Sequence, residues 1–252
     1  MARQDGVIKL TGQMGGISFY KSQDGHLVRL KSGVDGERIK NDPAFARTRE
    51  NGEEFGRAGA SSKLLRTALR TLILTVADGR MASRLTRQMM KVIQADATNT
   101  RGKRNVIDGE AELLRGFEFN ENGRVDKTFF APYTSVIDRV SGTLSVDIAE
   151  FIPANMIAAP PGSTHFRLIA GAAEVDFEQG TYVASTSQSA NILLSPVPLP
   201  AQTLTQAVTP ASTKPLFLAF GIEFQQEVNG ALYPLRNGAF NALVIAAVDS
   251  GV

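Results

Sequence analysis

Two adjoining stretches decide the fold: residues 63–76, KLLRTALRTLILTV, and residues 80–95, RMASRLTRQMMKVIQA. In the first, Leu64, Leu65, Ala68, Leu69, Leu72, Ile73 and Val76 recur at helical spacing and form one broad apolar face. At about 100° per residue, Lys63, Arg66 and Arg70 fall within about 60° of one another opposite that face. Asp78-Gly79 reads as a turn. In the second, Met81, Leu85, Met89 and Val92 make the apolar stripe, and Arg80, Arg84, Arg87 and Lys91 make a basic one. The pattern predicts a helical hairpin with apolar and basic stripes on separate faces. Neither basic stripe contains a carboxylate. A solvated face is the ordinary explanation of such a stripe; the sharper one is a surface that meets phosphates or an acidic protein.

Toward the N-terminus, Asp42-Pro43 is a helix start: a carboxylate to cap free N–H groups, then a proline whose missing donor costs nothing in the first turn. A helix is predicted from there to about Arg57. Gly52, Gly56 and Gly59 each cost about 1 kcal/mol relative to alanine and mark an expected bend, with Ser61 or Ser62 re-capping the next segment. Before it, Val7–Leu10, Ile17–Tyr20 and His26–Leu30 read as short strands, turned at Gly15-Gly16 and Asp24-Gly25. Ser32–Asn41 reads as a polar connection. An isolated hairpin is marginal in water, so this arm needs a sheet to join, in its own chain or in a neighbour. Gly12–Ser18 is glycine-rich, but it lacks the lysine of a phosphate loop and no helix follows.

Beyond the hairpin, residues 98–104 form a basic loop holding Arg101, Lys103 and Arg104 without an aromatic partner. Asp108–Leu114 reads as a short helix. From Gly116 onward the pattern is β-like: Val125–Phe130, Ser135–Val140, Thr143–Ile148, His165–Ala170, Ala173–Phe177, Thr181–Thr186 and Ile192–Leu194 are candidate strands. Ser195–Pro215 holds five prolines and reads as a long loop or arm. Leu216–Val228 and Ala231–Leu235 flank Asn229-Gly230, the turn pair of a two-residue hairpin, and Ala239–Val248 is a last apolar strand. The predicted class is α+β: an N-terminal hairpin arm over 1–40, a helical region over 41–115, and an antiparallel sandwich or barrel over 116–252.

The run Asn41-Asp42-Pro43-Ala44-Phe45-Ala46-Arg47-Thr48-Arg49-Glu50-Asn51, with Glu54-Phe55-Gly56 after it, resembles an uncharacterised protein family of Bacteroidota. Its members open with a Gly-punctuated hairpin and continue into this motif. The resemblance covers about the first 120 residues and implies no activity. Within the motif, Glu50 and Glu54 share a helix face, and Arg47 lies three residues before Glu50, within pairing reach.

Composition narrows the functional classes. The chain has 252 residues, 43% of them hydrophobic and 21% charged, as in globular proteins. It has no cysteine, which removes disulfide frameworks, thiolate metal sites and cysteine nucleophiles. His26 and His165 are its only histidines, and no HExxH, G-x-S-x-G, kinase or Rossmann pattern occurs. Glu174, Asp176 and Glu178 alternate on one predicted strand and read as an exposed face. No cofactor or metal is implied, and an enzyme is not expected. The N-terminal residues lack the apolar run of a signal peptide, and no stretch approaches the ~18 apolar residues of a membrane span. The expected location is the cytoplasm, or a particle assembled there.

The net charge of +2 hides a split. Residues 1–127 carry 23 Lys and Arg against 16 Asp and Glu, a net of +7; residues 128–252 carry 4 against 9, a net of −5. A basic front and an acidic back can bind something acidic, or copies of the chain head to tail. The second half is also poor in charge, which implies either an unusually neutral, Ser/Thr-rich surface or coverage by neighbours, and favours assembly. Two functions are expected from these features. The first is a structural subunit of a filament, tube or shell, whose partners are copies of itself. The second is a nucleic-acid-binding or packaging protein. Both would use Lys63, Arg66, Arg70, Arg80, Arg84, Arg87, Lys91, Arg101, Lys103 and Arg104 as contact residues.

Overall fold

The computed structural model of the chain describes residues 2–30, 34 and 36–251. They divide into two compact units, Met1–Arg49 and Glu50–Val252. Ser32 and Gly33 of the expected polar connection lie outside the described residues.

In the first unit the chain forms strands β1 (Ala2–Arg3), β2 (Gly12–Met14), β3 (Ile17–Ser22) and β4 (Gly25–Leu30). They pair antiparallel in the order β1-β4-β3-β2. Gly15, at φ +57°, makes the β2–β3 turn where a side chain would strain the backbone. The expected strand Val7–Leu10 is not formed. The Gln4 side chain takes that stretch's hydrogen bonds, accepting from the Leu10 N–H at 2.8 Å and donating to the Leu10 carbonyl at 3.1 Å, so the segment bends. Pairing of Met14 with Ile17, Ile17 with Leu30, and Phe19 with Val28 puts these five side chains on one face, because side chains alternate across a strand. Part of the expected connection is helical: α1 (Gly36–Asn41) carries Glu37 in its first turn and Arg38 and Lys40 in its last. Asp42 then caps the next turn as its sequence implies, accepting the Ala44 N–H at 2.9 Å. That N–H first, and then Arg38, hold its carboxyl below the usual range.

Helix α2 (Ala46–Ala68) runs unbroken past Gly52, Gly56 and Gly59, where a bend was expected. Burial of Glu54, Ala58, Ser62, Leu65 and Ala68 along one face offsets the local glycine cost. The break comes instead at Leu69, and α3 (Arg70–Val76) follows. After the Asp78 turn, α4 (Met81–Gln94) buries Met81, Leu85, Met89, Val92 and Ile93, close to the predicted stripe. Asp108–Leu114 gives only a short 3-10 turn, Ala111–Leu114.

The predicted strand Val125–Phe130 is a short helix, α5 (Val125–Thr128). Then follow β5 (Tyr133–Asp138), β6 (Thr143–Ile148), α6 (Pro153–Met156), β7 (His165–Asp176), β8 (Thr181–Gln188), β9 (Ile192–Leu193), β10 (Gln202–Ala207), β11 (Leu216–Val228), β12 (Ala231–Pro234) and β13 (Ala242–Asp249). All pairing is antiparallel. The larger sheet runs β12-β11-β7-β8, with β13 also on β11 and β9 on β7; the smaller runs β10-β6-β5. Two predicted strands merge into β7, which passes straight through Gly171: a Cβ there would stand 2.6 Å from Leu72 Cδ1, so glycine allows α3 to lie close on the sheet. The proline-rich arm is not free. Gln202–Ala207 pairs along the whole of β6.

Residues of alternating direction on β7 and β11 face two different layers. Phe166, Leu168, Ala170, Leu218, Phe220 and Ile222 meet Leu144, Val146, Ile148 and Leu204 of the smaller sheet. Ile169, Ala173, Val175, Phe217 and Ala219 meet Leu65, Leu69, Leu72, Leu85 and Met89 of the helices. The second unit is therefore three layers, helices on sheet on sheet, and the expected boundary near residue 115 falls inside one shared core. The two sheets curl together where Ser185 Oγ donates to the Ala207 carbonyl at 2.7 Å and Gln206 Nε2 to Ser187 Oγ at 2.6 Å. The fold is thus α+β, with a sandwich-like, half-barrel C-terminal part. Among the described residues, no helix is long and apolar enough to cross a membrane.

Candidate interaction surfaces

The ten basic residues singled out by the sequence meet three fates. Lys63, Arg70, Arg80, Arg87 and Lys91 are exposed, and Arg66 is half-buried, its Nε donating to the Ser62 carbonyl at 3.3 Å. No ion pair involves Lys63, Arg66, Arg70, Arg87 or Lys91 among the described residues.

Arg84 leaves the expected stripe. Its guanidinium turns inward, pairs with Asp78, donates to the Glu118 carbonyl at 2.7 Å and lies 5.4 Å from the centre of the Phe117 ring. Its side chain is only 15% exposed, so it fastens α4 to the segment entering the β layers. Burial pushes the Asp78 carboxyl up, but the N–H groups of Glu121 and Arg80 and the Arg84 charge outweigh this and hold it low.

The basic loop is likewise tied down, by the acids of the Asn41–Asn51 motif and its sequel. Glu50 lies 3.7 Å from Arg101, and buried Glu54 lies 3.9 Å from Arg104 while accepting the Gly102 N–H at 2.8 Å. Arg57 donates to the carbonyls of Gly102 and Arg104. Glu50 thus meets the loop, where the sequence had suggested Arg47. Asp96 holds the loop's start, accepting the N–H groups of Thr98, Asn99 and Asn105. Lys103 alone of the loop's three cations is exposed without a carboxylate partner among the described residues.

Between α2 and α4 the surface opens into a groove of about 760 Å³. Phe55, Ala82, Thr86 and Met90 line it, with Arg87 and Lys91 on its rim. Phe55 is 59% exposed. The sequence reading missed this groove because Phe55 was met only as part of a motif. The usable signal was its position: one residue off the Glu54–Ala58 buried face of a helix that the glycines do not interrupt.

A smaller cavity of about 220 Å³ lies over the Arg167–Glu223 ion pair, beside Thr75, Asn237 and Gly238. Glu174, Asp176 and Glu178 do not form the exposed carboxylate face the sequence suggested: Glu174 is buried and accepts the Thr209 N–H at 3.1 Å, and Asp176 pairs with Lys214 at 2.7 Å. Among the described residues no group of three His, Cys, Asp or Glu side chains is placed to hold a metal ion. His165 Nδ1 lies 3.0 Å from Thr164 Oγ1, and His26 sits opposite Lys21 in the first unit.

Among the buried carboxyls that make no ion pair within the described residues is that of Glu118. Glu118 accepts the Val125 N–H on both oxygens, at 3.1 and 3.2 Å. Burial pushes its pKa up to about 7, against the downward pull of that N–H and of Arg124.

No protein-family model matches the chain, and no curated protein matches it. Among solved structures, the crystal structure of the human F-spondin reeler domain (fragment 1) is similar at 15% identity. The match covers 50% of this chain and 99% of that one, with a TM-score of 0.16, at which no shared fold or role follows.

Proposed function

We propose that the chain is a structural subunit that associates with copies of itself and builds a filament, tube or shell. The observation that carries this is the sheet of the first unit. It is one layer, and its apolar face holds Met14, Ile17, Phe19, Val28 and Leu30, with Met14 70% and Leu30 80% exposed. Among the described residues, no buried apolar residue lies before Ala58. A sheet stands in water only when its apolar face is covered, and burying each such side chain is worth about 1.5–3 kcal/mol. A second copy of the same face supplies the missing layer: two such sheets stacked about 10 Å apart make a sandwich. The split of charge, +7 over residues 1–127 and −5 over 128–252, adds attraction between unlike parts of neighbouring copies.

Sedimentation of the full chain tests the reading. The expected result is a mass at multiples of 27.1 kDa. Ile17→Lys with Leu30→Lys should lower it, while the circular dichroism of the larger unit stays unchanged. A 27.1 kDa monomer at micromolar concentration sinks the proposal.

A second reading, nucleic-acid binding or packaging, is favoured by five exposed or half-exposed cations that make no ion pair among the described residues: Lys63, Arg66, Arg70, Arg87 and Lys91. Binding of that kind weakens steeply with salt. Absence of DNA and RNA binding at low salt ends it.

A further inference from the structure

Face-to-face pairing of two identical sheets closes after two copies; an open assembly needs a second, unlike contact. We propose that the α2–α4 groove is the receiving half of that contact, and that the turn Glu110–Leu113 of another copy is what it receives. The inference rests on the assembly reading above.

The groove is built for an apolar tip with an acidic flank. Phe55, Ala82 and Met90 give it an apolar floor, Arg87 and Lys91 stand on its rim, and no carboxylate lines it. Among the described residues Phe55 is left 59% exposed, although it projects from the middle of a 23-residue helix. Gly52, Gly56 and Gly59 flank it along α2, each with open space where a Cβ would stand. Three glycines inside a helix cost about 3 kcal/mol relative to alanine, and no contact of the single chain uses the room they leave.

The turn has the matching chemistry. Ala111 and Leu114 are buried and anchor it, while Leu113 is 42% exposed and follows the exposed carboxylates Glu110 and Glu112. The Gln88 side chain fixes it by donating to the Leu113 carbonyl at 2.6 Å. The negative charge here is unbalanced. Burial, then Glu110 and Asp249, push the Glu112 carboxyl up, and Arg115 only partly counters them. Opposite charges aligned across a contact fix its register and favour encounter.

The placement of the two halves decides the kind of assembly. At about 100° per residue, Gln88, which holds the turn, points about 160° away from Thr86 and Met90 around the helix, the side that lines the groove. The two halves therefore sit on opposite flanks of α4 and do not meet in one copy. Each copy offers a turn on one flank and a groove on the other, so successive copies add head to tail, into a ring or an open chain according to the rotation between them.

Two charge-reversed chains test this. One carries Arg87→Glu and Lys91→Glu; the other carries Glu110→Lys and Glu112→Lys. All four positions are exposed, so both chains fold. Each alone should weaken association beyond the dimer about tenfold or more in sedimentation. An equimolar mixture should restore it, because each chain's groove then meets an oppositely charged turn. If either chain alone assembles like the unmodified protein, or the mixture fails to restore assembly, the groove–turn contact is overturned. The assembly reading then still stands if Ile17→Lys with Leu30→Lys dissociates the protein. If Arg87→Glu with Lys91→Glu instead abolishes binding to duplex DNA or RNA while leaving sedimentation unchanged, the groove meets nucleic acid and the inference fails.

Discussion

Glu118→Gln should make the protein more stable at neutral and alkaline pH. Glu118 is buried beside β13, opposite Val244, with the Val125 N–H against both oxygens and no ion pair among the described residues. Burial raises its pKa from 4.5 to about 7 in the folded chain. Below 4.5 the group is protonated whether the chain is folded or not, so it contributes no penalty there. Between 4.5 and about 7 the unfolded chain ionises while the folded chain holds its proton, and stability falls as pH rises. Above about 7 the loss is complete. At about 1.4 kcal/mol per pKa unit the full loss is about 3 kcal/mol, and water reaching the carboxyl edge reduces it toward about 2.

Glutamine keeps an oxygen for the Val125 N–H and cannot ionise. Urea denaturation of both proteins at about pH 5 and about pH 8, at one protein concentration, gives the measurement. The difference between the two proteins cancels whatever they share. The variant should gain about 2–3 kcal/mol on the original between the two pH values. Parallel stability curves would mean that the carboxylate is stabilised in place and that the burial argument is wrong.

Arg84→Met should cost about 2–4 kcal/mol in thermal or urea unfolding, because Asp78 and the Glu118 and Phe119 carbonyls lose their donor; Arg87→Met, on the same helix but exposed, should cost less than about 0.5. Gly238→Ala should cost at least about 2 kcal/mol, since φ is +80° and the new Cβ would stand 2.2 Å from the Thr75 carbonyl oxygen. Glu54→Ala frees the loop carrying Arg101, Lys103 and Arg104. Trypsin should cut there roughly tenfold faster, in keeping with the loss of about 1–3 kcal/mol of local stability, while cleavage elsewhere is unchanged.

Features whose cause is local were legible in the sequence. The Asp42-Pro43 start was legible because capping needs only three neighbouring residues. So was the Asn229-Gly230 hairpin, whose φ values of 52° and 78° only such a pair adopts readily. The apolar stripe of α4 was legible because helical period alone decides it. What escaped depends on partners far along the chain. Glycines at 52, 56 and 59 argue locally for a bend, yet the helix continues because its opposite face is buried by residues from elsewhere in the chain. The prolines of 195–215 dominate that stretch, while strand β10 exists because β6, some 60 residues earlier, pairs with Gln202–Ala207. Arg84 illustrates the limit for sites. Periodicity places its Cα on the basic stripe, but a long side chain follows its partners, and Asp78 and the Glu118 carbonyl come from other segments.

The charge-poor second half, which by itself had favoured coverage by neighbours, has an internal cause. β7 and β11 are covered on both faces, by helices on one side and by the smaller sheet on the other, so their neutral sequence is demanded within one chain. Three of the four basic residues of that half are used up there too, Arg139 on Asp249, Arg167 on Glu223 and Lys214 on Asp176. No such account covers residues 2–49. Their sheet has the alternation of a buried face and a register that gathers five apolar side chains, but among the described residues of its unit no second layer covers it. Nor does it cover Phe55, held in the open by a rigid helix among glycines. These two places, rather than composition, are what association would explain. As proposed, they would differ in kind: one self-complementary and closing in pairs, the other meeting an oppositely charged turn on a different flank of a second copy. A protein using both would grow as a chain of pairs, and blocking either place alone would leave a distinct, smaller species.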